Sequence, residues 1–78
     1  MESFSIEVIN DGSPKNFEII DYAHSDDIRC KFEIYSNNKI VASFEPDARG
    51  FLYICKNWKV VSEKTLHLIA DKLEGMHF

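Results

Sequence analysis

The chain has 78 residues and a net charge of -4, from nine Lys and Arg against thirteen Asp and Glu. A content of 45% hydrophobic and 28% charged residues excludes a disordered chain, and the length predicts one small globular domain. The acidic balance disfavours nucleic acid as a partner. No apolar run approaches the roughly 20 residues of a membrane span, and no signal-peptide pattern is present, so we expect a cytoplasmic protein with no membrane contact.

Most of the chain alternates apolar and polar residues, which is the pattern of β-strands. Five such segments occur: FSIEVI (4–9), FEIIDY (17–22), IRCKFEIYS (28–36), IVASFE (40–45) and FLYIC (51–55). NDGSPKN, residues 10–16, is dense in turn-forming residues and predicts a hairpin between the first two strands. The pattern predicts an antiparallel, meander-like sheet of about five strands in chain order.

After the strands, SEKTLHLIADKLEGM changes to a helical period. Its apolar stripe consists of Leu66, Ile69, Ala70 and Leu73. Ser62 is a suitable N-cap because its hydroxyl can accept a hydrogen bond from a free amide of the first turn. We expect the helix to span residues 62–74 and to end at Gly75 in a left-handed conformation. The predicted fold class is therefore α+β, with one C-terminal helix packed on one face of the sheet.

The loop SNNK between the third and fourth strands allows two registers. A two-residue loop of Asn37 and Asn38 pairs Ser36 with Lys39 and divides the apolar residues between the two faces. A three-residue loop pairs Ser36 with Ile40 and gathers the apolar residues on one face. Because strand register follows the hydrophobic pattern, the sequence favours the three-residue loop.

The loop between the fourth and fifth strands has clearer chemistry. Asp47 and Gly50 suit the first and fourth positions of a type I turn, with Gly50 in the left-handed region. That turn places Asp47 opposite Phe51 and Phe44 opposite Ile54. The inner face, which the helix covers, then carries Phe32, Ile34, Ala42, Phe44, Leu52 and Ile54.

The outer face of the last three strands has a predicted apolar centre. It consists of Tyr35, Val41, Phe51 and Tyr53, which are the candidate interaction residues. One helix cannot cover both faces of a sheet, so either the first hairpin folds over this patch or another molecule does. The leading hypothesis is a non-enzymatic interaction module that binds a protein partner or a second copy of itself, through this face or an exposed edge strand.

Residues with catalytic or metal-binding potential are few. Cys30 and Cys55 are predicted on opposite faces of the sheet, too far apart for a disulfide, so we expect two free thiols. No phosphate-binding glycine loop or Ser/His/Asp grouping occurs, and no cofactor, metal or catalytic residue is predicted. The alternative is a small enzyme or metal-binding domain that uses His24, Asp26 and Asp27.

A third hypothesis concerns Trp58, which lies between Lys56 and Lys59. An aromatic ring between lysines can stack on the bases of single-stranded nucleic acid. Because the chain is acidic and Trp packs readily, we instead expect Trp58 to cap one end of the core, with solvated lysines beside it.

Overall fold

The protein forms one antiparallel sheet with a helix packed against it. A computed structural model describes residues 2–22 and 30–76. These residues contain β1 (Glu2–Asn10), β2 (Ser13–Asp21), β3 (Phe32–Ser36), β4 (Lys39–Pro46), β5 (Leu52–Asn57) and α1 (Glu63–Glu74). The strand order is β1-β2-β3-β4-β5, which confirms the predicted α+β meander with its C-terminal helix.

The β1–β2 hairpin turns more tightly than the turn-rich segment 10–16 suggests. Asn10 pairs with Ser13, which leaves only Asp11 and Gly12 in the loop. Both loop residues have positive φ, 54° and 79°, as a type I′ turn requires. Asp-Gly is a favoured pair for this turn because Gly has no Cβ and Asp tolerates the left-handed region. Both strands are consequently longer than predicted.

This hairpin lies in the plane of the sheet. Ile19 of β2 pairs with Ile34 of β3, and Ile6 of β1 pairs with Phe17 of β2. These four side chains are all buried in the core beneath the helix. The first hairpin therefore extends the inner face and does not fold over the outer face, which removes one of the two predicted covers.

The β3–β4 loop differs from the three-residue loop that the hydrophobic pattern favoured. Ser36 pairs with Lys39, and the two loop residues Asn37 and Asn38 have φ of 52° and 66°. Positive φ at both positions is typical of a type I′ turn, and Asn adopts it at low cost. The prediction of a three-residue loop was therefore wrong.

The apolar pairing predicted beyond that loop is nevertheless present. Ile34 pairs with Ala42, while the next residue, Tyr35, pairs with Ile40, so Val41 is an extra residue in β4. A β-bulge of this kind shifts the register by one residue. The bulge at Val41 thus reconciles a two-residue turn with an apolar inner face.

The β4–β5 turn matches its prediction. The Gly50 amide donates to the Asp47 carbonyl at 3.0 Å, and Gly50 has a φ of 89°. The Asp47 carboxylate accepts hydrogen bonds from the amides of Arg49 at 2.8 Å and Phe51 at 3.0 Å. Side chain and backbone of Asp47 together hold this turn.

Helix α1 begins as predicted and ends differently. The Ser62 hydroxyl accepts from the Thr65 amide at 3.2 Å, which confirms the N-cap. Gly75 has a φ of -69°, so the left-handed termination was wrong. The Gly75 amide donates to the Asp71 carbonyl at 3.1 Å, which continues the right-handed turn.

The core lies between α1 and the inner face of the whole sheet. Its fully buried helix residues are Leu66, Ile69 and Leu73, and they pack on apolar residues of the first four strands. Two side-chain contacts tie the helix to opposite edges of the sheet. The Asn10 amide group donates to the Thr65 hydroxyl at 2.7 Å, and the Glu74 carboxylate accepts from the Leu52 amide at 2.8 Å.

Candidate interaction surface

The two cysteines of the chain form a disulfide. Cys30 and Cys55 are bonded through their sulfurs, with their α-carbons 6.5 Å apart. The prediction of free thiols was therefore wrong. It assumed that Cys30 follows the alternation of the third strand, but β3 begins only at Phe32. Since β3 and β5 flank β4 and lie roughly 10 Å apart, Cys30 must leave the line of β3 to approach Cys55.

Cys55 departs from the alternation as well. Phe44 pairs with Ile54, while the preceding residue of β4, Ser43, pairs with Lys56. Cys55 is the extra residue of a second β-bulge, and both bulge residues lie opposite Ser43. The alternation of a regular strand cannot predict the face of either cysteine, because Cys30 precedes β3 and Cys55 lies in a bulge.

The four candidate interaction residues occupy different environments. Phe51 and Tyr53 are 55% and 52% exposed, at the turn and the start of β5. Val41, the bulge residue of β4, is 0% exposed and contributes no surface. Ser43 next to it on the outer face is also buried. Val41 is therefore not available to a partner at the surface.

Tyr35 is separated from the exposed aromatic residues. It lies opposite Ile40 near one end of β4, whereas Tyr53 lies opposite Glu45 near the other end. Five residues of strand correspond to about 16 Å, and Tyr35 and Tyr53 are also on opposite sides of β4. The structure brings Phe51 and Tyr53 together but places Tyr35 elsewhere.

Tyr35 belongs to a small hydrogen-bonded group. Its hydroxyl and that of Tyr22 both donate to one carboxylate oxygen of Glu33, at 3.2 and 2.8 Å. Partial burial, followed by the negative charge of Glu33, raises the pKa of Tyr35 above its ordinary value of 10.0. The ring also lines a shallow concavity of about 400 Å³, with Ser3, Glu18, Ile20 and Asn38.

Two further large apolar side chains, which sequence reasoning did not predict to be exposed, follow the end of β5. Trp58 is 47% exposed and Val60 is 62% exposed. Trp58 is not part of the core cluster, so it does not cap the core as expected. We call the exposed side chains of Phe51, Tyr53, Trp58 and Val60 the β5 strip. The sequence signal for this surface was the presence of these four large apolar residues within residues 51–60.

The end of the β5 strip is held by backbone contacts. The Trp58 amide donates to the Val41 carbonyl at 3.3 Å, which attaches this residue to the bulge of β4. The Asn57 side-chain oxygen accepts from the Lys59 amide at 2.8 Å, and Lys59 has a positive φ of 60°. Trp58 is therefore exposed within a hydrogen-bonded turn.

The segment that carries the strip is basic, although the whole chain is acidic. Residues 49–60 contain Arg49, Lys56 and Lys59 and no Asp or Glu, although the chain carries -4. The Arg49 guanidinium lies 5.4 Å from the centre of the Phe51 ring, within cation–π range. Arg49 also approaches Asp47 at 3.7 Å, an exposed ion pair that contributes little. The strip itself therefore carries basic residues and aromatic rings, while Glu45, opposite Tyr53, and Asp47 are acidic residues beside it.

The alternative prediction was a small enzyme or metal-binding site. His24, Asp26 and Asp27 lie outside the described residues. Within residues 2–22 and 30–76, no three His, Cys, Asp or Glu side chains are grouped so that they could hold a metal ion. In the same part of the chain, no helix has the length and apolar character needed to cross a membrane.

Comparison with known proteins adds no functional information. No protein family matches the chain, and no curated protein or solved structure is similar to it.

Proposed function

We propose that this domain is a non-enzymatic protein-interaction module that binds a protein partner through the β5 strip. The observation that carries the proposal is the exposure of Phe51, Tyr53, Trp58 and Val60, each between 47% and 62%, along one edge of the sheet. Single exposed apolar residues are common, but a group of them in one segment is typical of binding surfaces. Tyr, Trp and Arg are also the residue types that dominate interface energetics.

The chemistry of the strip indicates the kind of partner. Arg49 lies over the Phe51 ring, and Lys56 and Lys59 lie in the same segment, which contains no acidic residue, although Glu45 of β4 lies opposite Tyr53. A complementary protein surface would carry carboxylates around an apolar centre, because opposite charges guide association and fix orientation. The partner we propose is therefore an acidic protein segment with apolar anchor residues.

Side chains, not backbone, are the recognition elements at this edge. The bulge at Cys55 interrupts the regular spacing of β5, and the disulfide joins that residue to Cys30. Bulges at sheet edges hinder pairing with a further strand. A partner would therefore contact the protruding rings of the β5 strip instead of extending the sheet by a sixth strand.

The predicted cytoplasmic location stays a prediction. The disulfide between Cys30 and Cys55 bears on it. Disulfides persist in oxidising compartments and are rare in the cytosol. Alkylation of thiols in intact cells, followed by peptide mass spectrometry, would test the location: alkylated cysteines before reduction indicate a reducing compartment.

A double variant tests the proposed function. Phe51→Ser with Tyr53→Glu removes two rings from the β5 strip and places a negative charge among its basic residues. We expect the double variant not to capture the protein that the wild-type chain captures. The melting temperature should change little, because both side chains are more than half exposed.

The matched control is Met76→Ser, which removes an exposed apolar side chain that follows α1. This variant should retain the captured protein. If the double variant folds and still binds the same protein as strongly as the wild-type chain, the β5 strip is not the interaction surface.

A further inference from the structure

The opposite edge of the sheet, strand β1, has a different character from β5. Its nine residues pair with β2 without interruption, from Glu2 opposite Asp21 to Asn10 opposite Ser13. No bulge, Pro or Lys, which are among the devices that protect an edge against further pairing, occurs in β1, and its charged residues are Glu2 and Glu7. A long regular edge of this kind is a template for another strand.

The turn geometry shows which backbone groups face away from β2. In a two-residue hairpin, the residues that flank the loop exchange hydrogen bonds, so Asn10 bonds to Ser13. Bonded and non-bonded positions alternate along an antiparallel pair. The amides and carbonyls that point outward therefore belong to the alternate residues Ser3, Ser5, Glu7 and Ile9.

We propose that β1 pairs antiparallel with β1 of a second copy of this chain, in a register centred on Ile6. Ser3 then lies opposite Ile9 of the second copy, and Ser5 lies opposite Glu7. These are the positions with outward-facing backbone groups, so each such pair exchanges two hydrogen bonds. All nine residues of both strands are paired, and the two sheets become one sheet of ten strands.

The side chains of β1 are complementary to themselves in this register. On the inner face, Ile6 lies opposite Ile6 and Phe4 lies opposite Val8, so the two apolar inner faces become continuous. Glu2 lies opposite Asn10, and Glu7 lies opposite Ser5. No carboxylate faces another carboxylate, which matters because like charges directly opposite each other destabilise a strand pair.

Neighbouring registers are less favourable. A register centred on Glu7 places the two Glu7 carboxylates directly opposite each other. One centred on Ser5 leaves Ile9 and Asn10 without partners among the residues of β1. A shift by a single residue sets the apolar inner face of one copy beside the polar outer face of the other. The Ile6-centred register avoids all three penalties.

This dimer uses a different surface from the proposed function. It forms at β1, four strands away from β5 in the sheet order, and leaves the β5 strip of each copy exposed. The dimer and the partner-binding strip can therefore fail separately. If both are correct, each dimer presents two strips, which would increase its avidity for a partner that carries repeated binding segments.

The first test is a proline variant at the edge. The Ser5 amide points outward, so Ser5→Pro removes no backbone hydrogen bond within the chain but blocks pairing with a second copy; the exposed hydrogen bond from the Ser5 hydroxyl to Glu18, at 3.4 Å, is lost equally in Ser5→Ala. By sedimentation equilibrium at tens to hundreds of micromolar, the wild-type protein should approach twice the 9.1 kDa of one chain. Ser5→Pro should be monomeric, and Ser5→Ala, which keeps the amide, should remain dimeric.

The second test reads the register and does not depend on the proline variant folding. In the Ile6-centred register, Ser5→Lys faces Glu7 of the second copy, and Ser5→Glu faces the same carboxylate. The dissociation constant should fall about threefold to tenfold for Ser5→Lys and rise by a similar factor for Ser5→Glu. Each new charge also lies opposite Glu18 within the same chain. The melting temperature of each variant at low concentration, where it is monomeric, measures that effect separately.

Three results would overturn the proposal. They are a wild-type protein that stays monomeric throughout the concentration range, a folded Ser5→Pro variant that stays dimeric, and charge variants that weaken the dimer equally. Equal weakening would indicate a register centred on Ser5. A dimer lost in the Phe51→Ser, Tyr53→Glu variant but retained in Ser5→Pro would instead place self-association on the β5 strip.

Discussion

The two faces of the sheet are built under different constraints. The inner face is apolar across all five strands and lies beneath α1, with residues such as Ile34 and Phe44 fully buried. On the outer face, the position of buried Ser43 in β4 lies between Ile40, opposite Tyr35, and Glu45, opposite the exposed Tyr53. The inner face is a single packing unit, whereas the outer face consists of separate regions with different properties.

This difference shows how much depends on two inserted residues. Val41 and Cys55 are the extra residues of the two bulges. Each bulge keeps the inner face in register while it changes what the outer face presents. Packing of the inner face therefore contributes most of the buried core, and substitutions at exposed positions of the outer face should have little effect on the packing of that core.

The largest effect is expected on the inner face. Leu66→Ala and Leu73→Ala each remove a fully buried side chain and should each lower the free energy of unfolding by about 2–5 kcal/mol. His67→Ala, at an exposed position of the same helix, is the control and should change it by less than about 0.5 kcal/mol. Urea denaturation measures all three. A chain truncated after Val61 that still unfolds cooperatively would show that the helix is not needed to cover the inner face.

A smaller effect is expected from the disulfide. Cys30→Ala with Cys55→Ala removes a cross-link that spans 25 positions of sequence, and should lower the free energy of unfolding by about 2–4 kcal/mol. Thiol titration of the freshly purified, denatured wild-type protein should find almost no free thiol. Reducing agent should lower the melting temperature of the wild-type protein but not of the double variant. Two free thiols per chain, or equal sensitivity to reduction, would contradict the structure at this point.

The turn that presents Phe51 should depend on acidity. The Arg49 amide, followed by the Phe51 amide, hydrogen-bonds the Asp47 carboxylate and lowers its pKa below the ordinary value of 3.8. Because the folded pKa is below the unfolded one, the ionised carboxylate stabilises the fold above about pH 4, and this contribution disappears as the pH falls through the folded pKa.

Asp47→Asn tests that dependence. We expect the variant to melt slightly below the wild-type protein at pH 7, with the difference shrinking as the pH is lowered from about 4 to 2. Thermal melts at matched ionic strength measure it. A difference that stays constant over this range would show that the charge of Asp47 does not stabilise the turn.

The smallest effect is expected at Trp58. A single-stranded oligonucleotide should leave the fluorescence of this residue, the one Trp of the chain, unchanged at physiological salt because the protein carries a net charge of -4. Trp58→Phe, with its signal removed, is the blank for the titration. Quenching that saturates and weakens with added salt would instead favour nucleic acid as the ligand of the basic, aromatic strip.

Local sequence patterns were sufficient for much of the fold. Alternation identified the strands, the change of period identified the helix, and Ser62 marked its start. Asp47 and Gly50 specified their turn because its conformation depends on residues within the turn itself. The exposed rings of Phe51 and Tyr53 were predicted for the same reason, since a regular strand assigns its side chains to faces without reference to distant residues.

The tertiary structure decided the features that depend on neighbouring strands. The two-residue turn at Asn37 and Asn38 is compatible with an apolar core only because β4 accommodates Val41 as an extra residue. The disulfide exists because Cys30 precedes β3 and Cys55 lies in a bulge. Bulges depend on pairing energy between strands, and a pattern read along one strand contains no information about its partner. The sequence by itself therefore determined the elements and the inner face, and packing between strands determined the outer face.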